Sequence, residues 1–321
     1  MGRIATRNKF SAERYGSLIA LAILLVVSAT LSSHFLQPEN LFNILRQVSY
    51  TGIIALGMTF VIIAGGIDLS VGSMAGFAGA LAILAMNALG EAGRPEWVGV
   101  LGAVAVALAV GTLSGALNGL MITKGRIAPF IVTLGTMAIF RSLCLFMGNA
   151  GEFNSTNNLY SEIGSATFLM IPVPVWIMMA IAVFFSVILL RTRYGRYVRA
   201  VGSNQRVVLY AAINVDRIVF LTYLVNGLVV GVTAVLISMR FNGVGSSTLG
   251  VNYELDAIAA VIIGGTAMAG GSGTIWGTVV GAVILGVINN MLNMAGVSPY
   301  LQGTVKGLVI IGAVLIQRRK A

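Results

Sequence analysis

Runs of apolar residues, most of them roughly twenty long, follow one another along this chain with short polar joints between them. They lie at about 17–35, 51–66, 70–89, 97–122, 129–148, 172–190, 218–240, 255–270, 274–294 and 299–316. A hydrocarbon core takes about 20 apolar residues per helix. Inside lipid every backbone group must find its partner within the protein, so runs of this length form helices rather than loops. The expected fold is an all-α polytopic transmembrane bundle of about ten spans, some of them short enough to be broken or re-entrant. Hydrophobic residues make up 57% of the chain and charged residues 9%, with mean hydropathy +0.94. A soluble domain carries about a quarter charged residues, so the composition excludes that class. The 40 glycines fit the same setting, because helices in lipid associate by close backbone approach. Gly111, Gly115 and Gly119 form one tandem stripe at four-residue spacing, and Gly273, Gly277 and Gly281 form another.

The basic residues set an orientation, since Lys and Arg near span ends stay in the cytoplasm. With the first segment inside, one side of the membrane holds Arg3, Arg7, Lys9 and Arg14, then Lys124 and Arg126. It also holds Arg191, Arg193, Arg196, Arg199, Arg206 and Arg217, and finally Arg318, Arg319 and Lys320. Arg46 and Arg94 fall on the outer side, as do Glu39, Glu91, Glu96, Glu152, Glu162 and Glu254. This partition suits ten crossings with both termini cytoplasmic. It divides the chain into a cytoplasmic segment 1–16, one transmembrane domain 17–316 containing an inner loop 191–217, and a tail 317–321. The first run reads as a retained span rather than a cleaved leader. A net charge of +10 spread over one membrane face suits lipid contact and does not imply nucleic acid.

No G-x-x-x-x-G-K-[ST] phosphate loop occurs, and the chain has one histidine, His34, and one cysteine, Cys144. A metal cluster of those ligands or a Ser-His-Asp centre is therefore not expected, nor is a cofactor. The chain is expected to move or anchor something rather than to catalyse.

Polar residues inside the apolar runs are the candidates for that task. Gly65-Gly66-Ile67-Asp68-Leu69-Ser70-Val71-Gly72-Ser73 interrupts two runs, and a carboxylate at membrane depth needs water, a partner or backbone amides. Asp68 or Ser70 either caps the following helix or forms a gating turn. The same Val-Ile-Ile-(Ala/Gly)-Gly lead recurs before residues 264–271. Asn118, Asn226, Asn289, Asn290 and Asn293, with Thr133 and Ser142, can line a path for a neutral polyol or bond between helices. Arg141 has no obvious acid in a span to pair with, so backbone carbonyls or a watery cavity are expected around it. Lys306 is expected to snorkel outward. On the inner side, a short helix over about 205–212, capped by Ser203 or Asn204, reads as a docking element or as an ordinary basic loop.

Three stretches resemble one family. They are Glu39–Leu45 with Gly57-Met58-Thr59 through Ser73, then Tyr253–Val261 with Gly264-Gly265-Thr266 and Gly270-Gly271, and the loop from Arg193 to Val215. Together they resemble the ribose-type permeases of ABC sugar importers. The resemblance implies a subunit of the bacterial inner membrane that passes a monosaccharide or similar small polyol. A second permease copy or a close paralogue would enclose the path with it. Cytoplasmic ABC ATPase subunits would energise it, and an extracytoplasmic sugar-binding protein would deliver the sugar. It further implies that Gly195, Arg196, Arg199, Gly202, Asn204 and Asn214 belong to the ATPase-coupling segment, with residues 203–213 in a groove of the ATPase. Arg206-Val207 stands where the family usually has small residues, often Ala-Ala, and Ala211-Ala212 where it usually has Ser-Gly before the Ile-Asn-Val. An ion-coupled secondary transporter and a membrane scaffold for a cytoplasmic complex are the alternatives.

Overall fold

A computed structural model describes residues 9–318 as a helical bundle. Its helices are α1 (Lys9–Leu31), α2 (Pro38–Ile63), α3 (Val71–Glu91), α4 (Glu96–Thr123), α5 (Pro129–Met147), α6 (Asn158–Ser165) and α7 (Val173–Arg191). These are followed by α8 (Arg193–Ser203), α9 (Gln205–Tyr210), α10 (Val215–Phe241), α11 (Tyr253–Ile263), α12 (Ile275–Met294) and α13 (Pro299–Arg318). Seven of them, α2, α3, α4, α5, α7, α10 and α12, are long and apolar enough to cross a membrane; the apolar part of α1, Gly16–Leu31, is shorter. The charges at Arg3, Arg7, Arg319 and Lys320 lie outside the described residues.

Two expectations about the spans change. Helix α2 begins at Pro38, not near residue 51. Asn40, Asn43, Arg46 and Gln47 lower the local hydropathy without ending the helix. Pro38 in the first turn, with its preset φ, and Glu39 beside the positive helix end are the start signals that hydropathy overlooks. Arg46 is therefore a helical residue, not an outer-loop one. The run 255–270 gives only α11, eleven residues long. At 1.5 Å per residue that is about 16 Å, half of a hydrocarbon core of about 30 Å. Gly264 and Gly265 end it, as Ala64 and Gly65 end α2, and both turns carry the same closing bonds. The amide of Gly65 donates to Ile62 and that of Gly66 to Val61; the amide of Gly265 donates to Ile262 and that of Thr266 to Val261. Gly65 and Gly265 take φ of +84° and +90°, the left-handed region that this C-cap requires and glycine enters without strain.

Helix α2 is the axis of the bundle. Its residues from Gly52 to Ile63 are buried all round, as expected for a helix apolar on every face. Its most apolar window is 83% buried, against 28% for that of α5 and 33% for those of α4 and α7, which form the outer wall. The first glycine stripe works as the spacing implies. A Cβ added at Gly111 would stand 2.9 Å from the Gly231 Cα, and one at Gly115 would stand 3.0 Å from the Gly227 Cα. Helices α4 and α10 thus meet backbone to backbone. Gly277 and Gly281 of the second stripe press on Gly264, just past the end of α11, and on Ala260 within it.

Short strands amend the all-α expectation. β1 (Glu152–Asn154) pairs antiparallel with β4 (Gly243–Gly245), and β2 (Thr167–Phe168) pairs with β3 (Ile171–Pro172). The long connection 149–172 is therefore structured. Asn157 caps α6 by accepting from the Tyr160 amide, and the buried Tyr160 hydroxyl bonds Ser238 of α10 at 2.7 Å.

Candidate functional site

Four of the polar residues singled out in the sequence form one cluster. Asp68 is fully buried in the turn between α2 and α3. Its Oδ1 accepts from the Ser70 amide at 3.0 Å and from the Ser70 hydroxyl at 2.6 Å. Its Oδ2 accepts from the Asn226 amide group at 2.9 Å. The Ser70 hydroxyl in turn accepts from Asn118 Nδ2 at 2.9 Å. Tyr223, one turn before Asn226, donates its hydroxyl to the Ile67 carbonyl at 3.0 Å. The turn is thereby fastened to α4 and α10. Capping is the part that does not hold. Ser70 occupies the N-cap of α3, yet no side chain bonds the helix's first amides there, because both Asp68 oxygens and the Ser70 hydroxyl are engaged with the cluster. Asn118 and Asn226 are likewise fully buried in this junction and do not face a channel within the chain.

The three asparagines of α12 are not part of it. Asn290 exchanges bonds with Asn40 of α2, at 2.7 and 3.2 Å, and Asn293 accepts from Gln302 of α13 at 2.7 Å. Asn289 is half-buried beside them. Helix-to-helix bonding thus accounts for Asn290 and Asn293.

Arg141 meets backbone carbonyls, one of the two surroundings expected for it. Nη1 donates to Ser246 at 3.1 Å and to Leu249 at 3.0 Å, holding the segment after β4 along α3. There Gly250 packs on Gly72, and Glu254 also reaches Gly72, so Glu254 belongs to the first turn of α11 rather than to an outer loop. Lys306 does not snorkel. Its Nζ pairs with Asp256 at 2.9 Å, with both side chains largely buried. Sequence reasoning missed Asp256 as its partner, because the two stand fifty positions apart. It also missed Tyr223, the Thr59–Thr278 hydroxyl pair at 2.7 Å, and the bidentate pairing of Arg126 with Asp216 at 2.9 and 3.0 Å.

The segment between α7 and α10 folds as two short helices. Thr192 caps α8 through the Gly195 amide, which fixes Gly195 against the end of α7. Arg196 is exposed and Arg199 half-buried. Asn204 accepts from the amides of Arg206 and Val207 at 3.1 and 3.2 Å, so the cap of α9 is Asn204 and not Ser203. Asn214 caps α10 by accepting from the Arg217 amide at 2.9 Å. Val207, Leu209 and Tyr210 stand 60, 59 and 89% exposed. Gly202 touches the far end of α2 and the turn after α11.

A cavity of about 310 Å³ lies beside those two turns, lined by Ile62, Gly65, Gly66, Ile67, the start of α5 from Ala128 to Phe130, Ile258 and Met268. Another, of about 270 Å³, is wholly apolar and lies among α4, α6, α7 and α10, with none of the candidate residues in its wall.

The family described as "Branched-chain amino acid transport system / permease component" matches residues 40–314. The ribose import permease of Escherichia coli (strain K12) is 42% identical over 83% of this chain and 81% of its own length. That of Bacillus subtilis (strain 168) is 41% identical over 84% and 81%. The D-allose transport system permease of E. coli (strain K12) is 34% identical over 84% and 80%. No solved structure matches the chain significantly. The match spans most of the bundle, both glycine turns and the segment between α7 and α10, so the chain belongs to this transport-permease family and to the ribose-type permeases within it.

Proposed function

We propose that the chain is the membrane-spanning permease subunit of an ABC importer of the bacterial inner membrane. It passes a monosaccharide or similar small polyol delivered by an extracytoplasmic binding protein. A second permease copy completes the path, and ATP is hydrolysed by a separate cytoplasmic subunit. Both termini are cytoplasmic in this reading, with about ten membrane segments once α1, α13 and the half-length α11 are included.

One observation carries it. Helix α9 projects Val207, Leu209 and Tyr210 outward from a segment otherwise rich in arginine. Such an apolar tip on a polar face fits a protein groove better than water or headgroups. Its place between Gly195, Arg196, Arg199, Gly202 and Asn214 supports the coupling role for that whole segment. The ribose and allose permeases among the relatives support the substrate class.

The test is uptake of radiolabelled D-ribose and D-allose into proteoliposomes holding the permease, its ATPase and its binding protein. Uptake should require both partners and ATP, and uptake without the ATPase would sink the proposal. Full burial of Asp68 is a feature that favours an ion-coupled carrier instead. Dissipating the proton and sodium gradients at constant ATP separates the two, since only the carrier would stop.

A further inference from the structure

Three stretches far apart in sequence meet at Gly202 through backbone alone. The Gly271 amide donates to the Ile63 carbonyl at 2.8 Å, so one of the unpaired carbonyls at the end of α2 is satisfied by the segment after α11. Gly202, near the end of α8, lies against that bond. A Cβ there would collide with the Ile63 oxygen and the Gly271 nitrogen. Ser203 rests on Gly271, and a Cβ on Gly270 would stand 3.0 Å from the Gly202 carbonyl and 3.2 Å from the Gly65 Cα. Two residues beyond Gly202, Asn204 caps the exposed helix α9. On the other side, Gly65, Gly66 and Ile67 of one turn and Met268 of the other line the same cavity.

We infer that Gly202 and Ser203 are positioning residues that join the ATPase-facing helix to both glycine turns, so that displacement of α8 and α9 shifts the two turns together and changes the cavity between them. This rests on the transport reading above. Its physical basis is the absence of slack. Close-packed backbone passes on a displacement that a flexible side chain would absorb. The turns themselves are pinned differently, the first to α4 and α10 through Asp68 and Ser70, the second to α12 through Gly264 and Gly277. A push delivered between them therefore acts on both against separate anchors.

The test compares ATP hydrolysed with D-ribose imported by the complete reconstituted importer. Gly202→Ala places a methyl group in the joint and leaves the α9 face untouched. Sugar imported per ATP hydrolysed should fall about tenfold, whatever the variant does to the amount of ATPase bound. Gly270→Ala strains the second turn itself, since Gly270 sits at φ +89° with backbone 3.0 and 3.2 Å from the added methyl, and should lower the same ratio at least about threefold. A merely structural joint would lower hydrolysis and uptake in proportion, and that result overturns the inference. So does an unchanged ratio in both variants, or failure of both to assemble. ATP-independent uptake by the unaltered importer is a separate failure, that of the transport reading, and it is recognised because it needs no variant.

Discussion

Asn226 in the middle of α10 donates its side-chain amide to Asp68 Oδ2 at 2.9 Å, across 158 positions of sequence. The bond closes a chain in which Asn118 donates to Ser70 and Ser70 donates to Asp68, so each hydroxyl and amide hydrogen has one direction. A carboxylate with no solvent contact is tolerable only with such donors around it.

Replacing Asn226 by Leu removes the only donor to Oδ2 that the structure shows and leaves that oxygen buried. Bonds to charged groups contribute about 1.5–3 kcal/mol, so a loss of about 2 kcal/mol is expected. Asp68→Asn keeps an acceptor for Ser70 and should cost less, about 1 kcal/mol. Cys144, the chain's sole cysteine and buried, reports unfolding through its reaction with a thiol dye on heating in detergent. Equal midpoints for Asn226→Leu and the unaltered protein would contradict the assigned role.

Arg141 holds the bend at Ser246–Leu249 through two carbonyls. Arg141→Met leaves both carbonyls without that donor and is expected to free the bend, at a cost of about 2–3 kcal/mol. Arg141→Lys should recover part of it, since an ammonium reaches as a point charge without the planar fork. Limited proteolysis between β4 and α11 reads the release directly, and a cleavage pattern identical in all three proteins would argue against it.

Lys306 and Asp256 form a largely buried pair between α13 and α11. Removing one partner strands the other, so Lys306→Met alone should cost about 3–5 kcal/mol. The double variant Lys306→Met with Asp256→Leu should be more stable than either single one, because replacing both ions by apolar groups removes the desolvation penalty as well. A double-mutant cycle with additive losses would show that the pair is not coupled.

What the sequence reveals here depends on whether cause and effect lie close along the chain. Asn204 sits one residue before α9 and Asn214 one before α10, so their capping is a local matter and readable. The glycine turns at 65 and 265 are equally local, and the repeated Val-Ile-Ile lead makes them conspicuous. For Arg141 the lack of an acid leaves backbone carbonyls or a watery cavity, and the choice depends on how the bend after β4 lies against α3. Asp256 beside Lys306 and Tyr223 beside Ile67 have no local signature at all. The start of α2 is hidden for a different reason. Asn40 and Arg46 look like loop residues until Asn290 on α12 gives Asn40 a partner inside the bundle. Asn118 and Asn226, polar residues on otherwise apolar helices, suit a path and a seam equally well until the fold brings Asp68 between them.

The capped helix α9 allows the sharpest separation of docking from folding. Asn204→Ala removes the acceptor for two backbone amides of a six-residue helix. Such a cap is worth about 1 kcal/mol, and a helix this short has little other support. If the ATPase recognises α9 as a helix, that energy appears as weaker binding, with the dissociation constant rising about fivefold. Asn204→Asp and Asn204→Ser supply the same acceptor and should bind like the unaltered chain. Tyr210→Ser leaves the cap intact but removes the most exposed apolar group, so it should weaken binding without loosening the helix. Co-purification of the ATPase at several detergent-solubilised concentrations measures all four. Binding that ignores both the cap and Tyr210 would place the contact elsewhere on the arginine-rich segment.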